Sequence, residues 1–329
     1  MTPKERAIAA LTLRVPDEVP TFELEFQISK EMFGIDFLPD DLSPERIGKL
    51  TRHERERRLC ELADDIVTVY DKLDYAIIPG PYHIGGFEKG EISPNLKMLQ
   101  REILKRVNGT RMIGYHGDGT YSVPDGEAMF EFAYQLADNP TAVHENARKM
   151  AEDAIERNKR LADNGVEVLL LCSDYCYNSG PFLSPAMFGE FVTPYLHMII
   201  EAARKEGLYT IKHTDGDIMP ILDQLAKCRP HALHSLDPMA GVDIKEVKRL
   251  VGDRICLCGN VNCSLLQSGT EEELAESARY AMRHGKPGGG YIYCTSNVPF
   301  RGIDPKRYQI VLDEWKKGRS YVLPNQEAR

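Results

Sequence analysis

Residues able to bind a metal ion or move a proton recur directly after short apolar runs of this sequence. Glu23-Leu24-Glu25, Ser173-Asp174-Tyr175, His213-Thr214-Asp215-Gly216, His234-Ser235-Leu236-Asp237, Gly259-Asn260 and Ser296-Asn297 each close such a run. In an extended segment residues i and i+2 share a face, so His213 and Asp215 can carry an imidazole and a carboxylate to one metal ion or one substrate atom. Asp215-Gly216 is also an ordinary turn pair, a reading that asks nothing of either side chain. Asp174 directly follows Val168-Leu169-Leu170-Leu171-Cys172-Ser173, where a carboxylate is costly without partners, and this favours a functional role. His213, Asp215 and Asp174 are therefore the candidate catalytic residues, with His213 and Asp215 also candidate metal ligands. Glu23 and Glu25 point to one side of their run, one inside a site and the other at its rim. His234 and Asp237 read either as a histidine oriented by an acid or as a buried hydrogen-bonded pair. Asn260 suits a polar substrate group or a loop.

Other chemistry is weakly represented. His83 and His116 follow apolar runs and are candidates for the same region, whereas the remaining histidines fall on helical or surface stretches. Ser173 lacks a Gly-x-Ser-x-Gly context, which disfavours acyl-enzyme chemistry. The eight cysteines include no Cys-x-x-Cys knuckle, and without export signals they are expected to be reduced and mostly buried. Gly288-Gly289-Gly290 precedes a strand rather than opening a helix, so a tight turn is the better reading than a phosphate loop.

The elements that must position these residues form a regular series. Apolar or β-branched runs at 19–25, 75–80, 111–115, 166–172, 209–213, 232–236, 254–259 and 290–295 alternate with helical stretches. Their mostly continuous hydrophobicity is that of parallel strands covered on both faces. Eight such units predict an α/β fold, a (β/α)8 barrel with N-terminal helical decoration over 1–18 and 26–74, with a doubly wound open sheet as the alternative. A barrel gathers residues at the carboxyl ends of its strands into one mouth. Ser184-Pro185 starts a helix predicted to run to Gly207, Thr270 and Glu273 form a capping box for a helix ending near Gly285, and a third helix is expected over 141–164 with Gly165 as its stop.

With 329 residues, 41 Lys and Arg against 50 Asp and Glu, and a net charge of -9, the chain is expected to be one barrel domain over 1–329. The acidic balance gives no general reason to bind nucleic acid. No run reaches the length of a membrane helix and the N-terminus lacks the pattern of a signal peptide, so a cytoplasmic enzyme is expected. The polar tail after Lys316 is expected to fray.

Several segments resemble the uroporphyrinogen decarboxylase superfamily, which includes corrinoid-dependent methyltransferases: Asp174-Tyr175 with Gly180 to Pro185, Phe188 to Tyr195, Ile211 to Ile218, His234 to Ile244, Gly252 to Val261 and Gly288 to Asn297. The resemblance implies an eight-stranded barrel. The decarboxylases carry an Arg-Gln-Ala-Gly-Arg type motif after the first strand that binds the carboxylates of a tetrapyrrole; here that stretch reads Thr21-Phe22-Glu23-Leu24-Glu25-Phe26-Gln27, which would repel them. Methyltransferases acting on coenzyme M have His-x-Cys and a later Cys as zinc ligands, where this chain has His213-x-Asp215 and Asn297, with Cys294 three residues earlier. The soft zinc set is thus not kept, and His213 and Asp215, aided by Glu23 or Glu25, are left as a set that could hold zinc less tightly or a harder divalent metal.

The His-Thr-Asp-Gly and Gly-Asn-Val segments are most similar to the methyltransferase I components of O-demethylases and related methylamine systems. That likeness implies transfer of a methyl group from a methylated small molecule, a methyl ether or methylamine, to the corrinoid (cobalamin) of a separate small corrinoid protein. His213 and Asp215, or a metal they hold, would assist the leaving group. Asp174 and Tyr175 would orient the donor, with His234, Asp237, Asn260 and Asn297 lining the mouth. A tetrapyrrole decarboxylase and a non-catalytic binding barrel are the alternatives; the donor and the oligomeric state are left open.

Overall fold

The protein is described by a computed structural model over residues 1–80, 84, 86–88 and 90–321. His83 and the last eight residues of the tail lie outside the described residues. Seven parallel strands form one sheet in chain order: β1 (Ile77–Pro79), β2 (Met112–His116), β3 (Val168–Leu171), β4 (Tyr209–His213), β5 (Ala232–His234), β6 (Cys256–Cys258) and β7 (Tyr291–Ile292). All four residues of β3 are fully buried, as a strand covered on both faces requires.

The segment expected as a first strand over 19–25 is reduced to a bridge. Thr21 pairs in parallel with both Tyr75 and Tyr293, so one residue joins the two edges of the sheet. Ala76 N donates to Thr21 O at 2.8 Å and Tyr293 N to Pro20 O at 2.9 Å. Pro20 has no N–H to extend this ladder, which leaves Thr21 to carry the seam.

Glu23 locks the seam from within. Its carboxyl oxygens accept from Thr295 N (3.0 and 3.2 Å), Thr295 Oγ1 (2.6 Å) and Tyr308 Oη (3.0 Å). Tyr308 Oη in turn lies 2.5 Å from Tyr75 Oη, and Trp315 Nε1 donates to Val19 O at 2.9 Å. The C-terminal helix Pro305–Gly318 is thus tied to both sides of the closure.

Helices cover the outside in pairs: Arg52–Leu73 against Pro94–Val107, Pro140–Asp163 against Thr193–Lys205, and Glu271–Gly285 against Pro305–Gly318. The Thr270–Glu273 capping box is present. Ser184 caps Pro185–Phe191, but the helix expected to continue to Gly207 breaks at Val192 and restarts at Thr193. Pro194 cannot donate to the preceding turn, which is where the ladder is interrupted. Gly165, after Pro140–Asp163, sits at φ +87°, and a Cβ there would lie 2.5 Å from Leu104 Cδ1. The position therefore needs glycine on two counts. Gly288, Gly289 and Gly290 all have positive φ and form the turn leading into β7. No helix of the described residues is long and apolar enough to cross a membrane.

Burial pushes the Glu23 carboxyl up to about 8 from its usual 4.5. Between those values the unfolded chain has lost this proton and the folded protein still holds it, so stability falls as pH rises through that window. Glu23→Gln presents an amide to Tyr308 and a carbonyl to Thr295, and should remove this dependence. Urea unfolding between pH 5 and 8 should show wild type losing on the order of 1 kcal/mol per pH unit relative to the variant; parallel curves would show that Glu23 is ionised in the fold.

Candidate functional site at the barrel mouth

β4 and β5 are neighbouring parallel strands in which His213 and His234 are register partners. Their side chains lie on one face, with Nδ1 of His213 2.8 Å from Nδ1 of His234. His234 Nε2 lies 3.2 Å from the carbonyl oxygen of Thr295. A carbonyl only accepts, so His234 carries its proton on Nε2 and presents a lone pair at Nδ1. The shared contact then takes its hydrogen from His213 Nδ1, and His213 Nε2 is left with a lone pair. Both rings are neutral: burial, then the charge of Lys212, pushes His213 down to about 3, and burial with the neighbouring imidazole lowers His234 well below the usual range.

That lone pair faces two carboxylates. Asp174 Oδ1 is 3.6 Å and Asp215 Oδ1 3.8 Å from His213 Nε2, and one ligand atom from each of the three residues falls within 4.8 Å of the others. These separations are too long for hydrogen bonds. They approach the spacing, about 3.3–3.5 Å, of ligand atoms set tetrahedrally around a divalent ion at ~2.0–2.2 Å. Asp215 Oδ1 is buried without a hydrogen-bond partner, whereas Oδ2 accepts from Asn297 Nδ2 at 2.6 Å. Burial, then the charge of Asp174, pushes Asp215 up to about 7. Nitrogen and carboxylate oxygen donors with an orphaned oxygen among them suit zinc or a harder divalent ion.

The loop carrying Asp174 is fixed by a buried lysine that the sequence reading did not single out. Lys212 Nζ donates to Asp118 Oδ2 (2.8 Å), Leu171 O (3.0 Å) and Ser173 O (2.8 Å), and lies 4.0 Å from the ring centre of Tyr175. Asp118 also accepts from Gly119 N, Thr120 N, Thr120 Oγ1 and Ser173 N. Burial alone would raise this carboxyl; the Lys212 charge and these donors hold it below its usual range. On the other side of Asp174, Tyr175 N donates to Thr214 Oγ1 at 2.8 Å, and Asp174 Oδ1 accepts from Asp215 N at 3.0 Å. A lysine inside a buried strand must find such partners, and that was the available signal in Tyr209-Thr210-Ile211-Lys212-His213.

The other candidates divide between the mouth and its supports. Asn297 reaches the cluster through Asp215. Asp237 Oδ1 accepts from Met239 N at 2.9 Å and caps a short turn, while its charge reaches Asp215. His234 lies beneath His213, 1 % exposed. Tyr175 turns away from the mouth to meet Thr120 Oγ1 at 2.6 Å and the ring of Phe188. Asn260 donates to Leu236 O at 2.8 Å, joining the loops after β5 and β6, and Glu23 is enclosed in the seam. Glu25 lines a separate cleft of about 800 Å³ beside the N-terminal helices, although its charge is felt at His116 and Cys172.

Fold and site together define an α/β barrel with a histidine and two aspartates converging at its mouth. The profile of the uroporphyrinogen decarboxylase (URO-D) family matches residues 122–314, more than half of the chain, and the chain belongs to that family. It is 27 % identical over 244 residues to the uroporphyrinogen decarboxylase of Thioalkalivibrio sulfidiphilus, covering 69 % of this chain and 64 % of that protein. The match to the uroporphyrinogen decarboxylase of Photobacterium profundum is 24 % identical over 230 residues and covers 65 % of this chain and 61 % of that protein. The chain thus spans less than two thirds of these relatives. A solved methyltransferase from Methanosarcina mazei shares the fold with a TM-score of 0.70 at 16 % identity, covering 96 % of this chain and 99 % of that one.

Two outcomes check this geometry. Long-range ¹H–¹⁵N spectra of histidine-labelled protein at neutral pH should show the Nδ1–H tautomer for His213 and Nε2–H for His234; the reverse pattern would put a proton, not a lone pair, toward the aspartates. Lys212→Met should cost about 3–5 kcal/mol in urea unfolding by leaving Asp118 buried and unpaired, and adding Asp118→Asn should recover part of that loss.

Proposed function

We propose that this chain is a methyltransferase that moves a methyl group from a methylated small molecule, of the methyl ether or methylamine type, onto the corrinoid of a separate partner protein. The observation that carries this reading is the mouth itself, an outward imidazole lone pair between two carboxylates. Breaking a methyl–oxygen or methyl–nitrogen bond leaves the bonding pair on the heteroatom, so the barrier depends on how that atom is stabilised. The family-level likeness to corrinoid-dependent methyltransferases and the shared fold of the M. mazei protein support the same direction.

The chain's own groups fit this task. His213 Nε2, Asp174 and Asp215 would hold a divalent metal, zinc or a harder ion, which when bound supplies a Lewis acid for the departing heteroatom. His234 orients His213, and Asn297 fixes one oxygen of Asp215 so that the other faces the mouth. Without a metal, Asp215, raised to about 7 by burial and then by the charge of Asp174, would instead carry the proton for the leaving group. The corrinoid, carried by its partner, supplies the nucleophile.

The name borne by the curated relatives favours a second reading, decarboxylation of a carboxylate-bearing tetrapyrrole. That chemistry needs cations at the reacting group, and among the described residues the charges acting on Asp215 are those of Asp174 and Asp237. Lys212, the nearest buried cation, is engaged by Asp118.

With a reduced corrinoid protein and a panel of methyl ethers and methylamines, the protein should produce methyl–cobalt absorbance. His213→Ala should lower that rate ~10²–10⁴-fold and Asp215→Ala should reduce bound metal without unfolding the protein. Release of CO2 from a uroporphyrinogen without any methyl transfer would establish the second reading, and absence of both activities in the folded wild-type protein would point to a non-catalytic barrel.

A further inference from the structure

The cleft beside the N-terminal helices has no part in the chemistry above. It encloses about 800 Å³, within the range of small-molecule sites, and lies at the carboxyl end of the barrel, where Pro79 and Gly80 leave β1 and Glu25 follows the seam. One wall is aromatic. Phe37 and Tyr70 pack with ring centres 5.5 Å apart, Tyr70 and Tyr75 5.4 Å apart, and Phe26 meets Tyr75 edge-on at 6.1 Å.

Two polar groups on this wall are open to a ligand. Tyr70 is only 4 % exposed, yet its hydroxyl makes no hydrogen bond among the described residues, and the side chain lines the cleft. Glu25 is half-buried, and its one polar partner among the described residues is the amide of Gln27, 2.9 Å away. No described cation lies within ion-pair distance of it. The cleft's own cations are drawn to its other end: Lys30 pairs with Asp36 at 3.2 Å, and the charge of Arg301 also acts on Asp36. Glu31 is a further lining carboxylate with no ion pair among the described residues.

We propose that this cleft binds a methylated ammonium ion, with Glu25 as its counter-charge and Phe26, Phe37 and Tyr70 as the surface for its methyl groups. A neutral methyl ether would leave Glu25 uncompensated as water is displaced, and an anionic ligand would be repelled. A methylated ammonium satisfies both demands, since its diffuse positive charge is stabilised by aromatic faces as well as by a carboxylate. The hydroxyl of Tyr70 is left for an oxygen on the same ligand. As a binding site this assignment does not rest on the reaction proposed above, and it can be tested without a corrinoid.

Isothermal titration of the whole protein with choline, tetramethylammonium, the neutral choline isostere 3,3-dimethylbutan-1-ol, and anisole makes the test. Choline should bind at least tenfold more tightly than its neutral isostere, and tetramethylammonium should compete with it. Glu25→Gln should abolish that preference while unfolding at the wild-type temperature; Glu25→Ala and Tyr70→Phe, which alter the same site differently, should each weaken choline binding. Equal binding of the isostere, preference for anisole, absence of any binding, or preference unchanged in folded Glu25 variants would overturn the proposal. Ammonium binding without methyl transfer would contradict the reaction and leave the cleft assignment standing, whereas transfer from methyl ethers without ammonium binding would do the reverse.

Discussion

Two buried imidazoles that meet through Nδ1 can share only one hydrogen, and the site depends on which ring supplies it. The Thr295 carbonyl decides, because it accepts and cannot donate. His234 is thereby committed to one tautomer, His213 to the other, and a lone pair is aimed at Asp174 and Asp215. Such a relay from backbone through a second residue to a ligand is the usual way a protein fixes an imidazole for a metal or a proton. The barrel supplies the conditions for it. Register between β4 and β5 sets the rings side by side, and the closure at Thr21 and Glu23 holds Thr295 where His234 can reach it.

The charged groups beneath the cluster are well supplied with partners, and Oδ1 of Asp215 is not. Lys212 and Asp118 bury a charge pair beneath the mouth and give it enough hydrogen bonds to offset desolvation. The same contacts fix the backbone before Asp174, and the bond from Tyr175 N to Thr214 Oγ1 fixes it after. Against that background the unpartnered Oδ1 of Asp215 stands out, since a buried acceptor without a donor costs free energy unless something else occupies the position. The exposure of the three side chains rises from His213 at 6 % through Asp215 at 32 % to Asp174 at 48 %, so the cluster opens toward the mouth.

Much of this was legible in the sequence. Continuous apolar runs gave away the parallel strands, cap residues placed the helices at Ser184 and Thr270, and the His-x-Asp spacing with a carboxylate after a leucine run marked His213, Asp215 and Asp174. What was not legible depends on register and on side-chain direction. His234 stands at a strand end like His213, but that it turns sideways to its neighbour follows only from the pairing of β4 with β5. Tyr175 adjoins Asp174 in sequence and points the other way, to Thr120. Pro20 reduced the first strand to a bridge, and Lys212 was hidden in an otherwise ordinary strand. The aromatic wall of the cleft joins residues separated by up to forty-four positions, from Phe26 to Tyr70.

On the reading proposed above, the lone pair of His213 and the two aspartates together form a cation site at the barrel mouth. Anomalous diffraction from crystals of the protein equilibrated with Mn²⁺ or Zn²⁺ tests it most directly. A peak within bonding distance of His213 Nε2 and of carboxylate oxygens from Asp174 and Asp215, absent in Asp215→Ala crystals, is the predicted result. No peak at the mouth, or the metal bound elsewhere in the barrel, would contradict it.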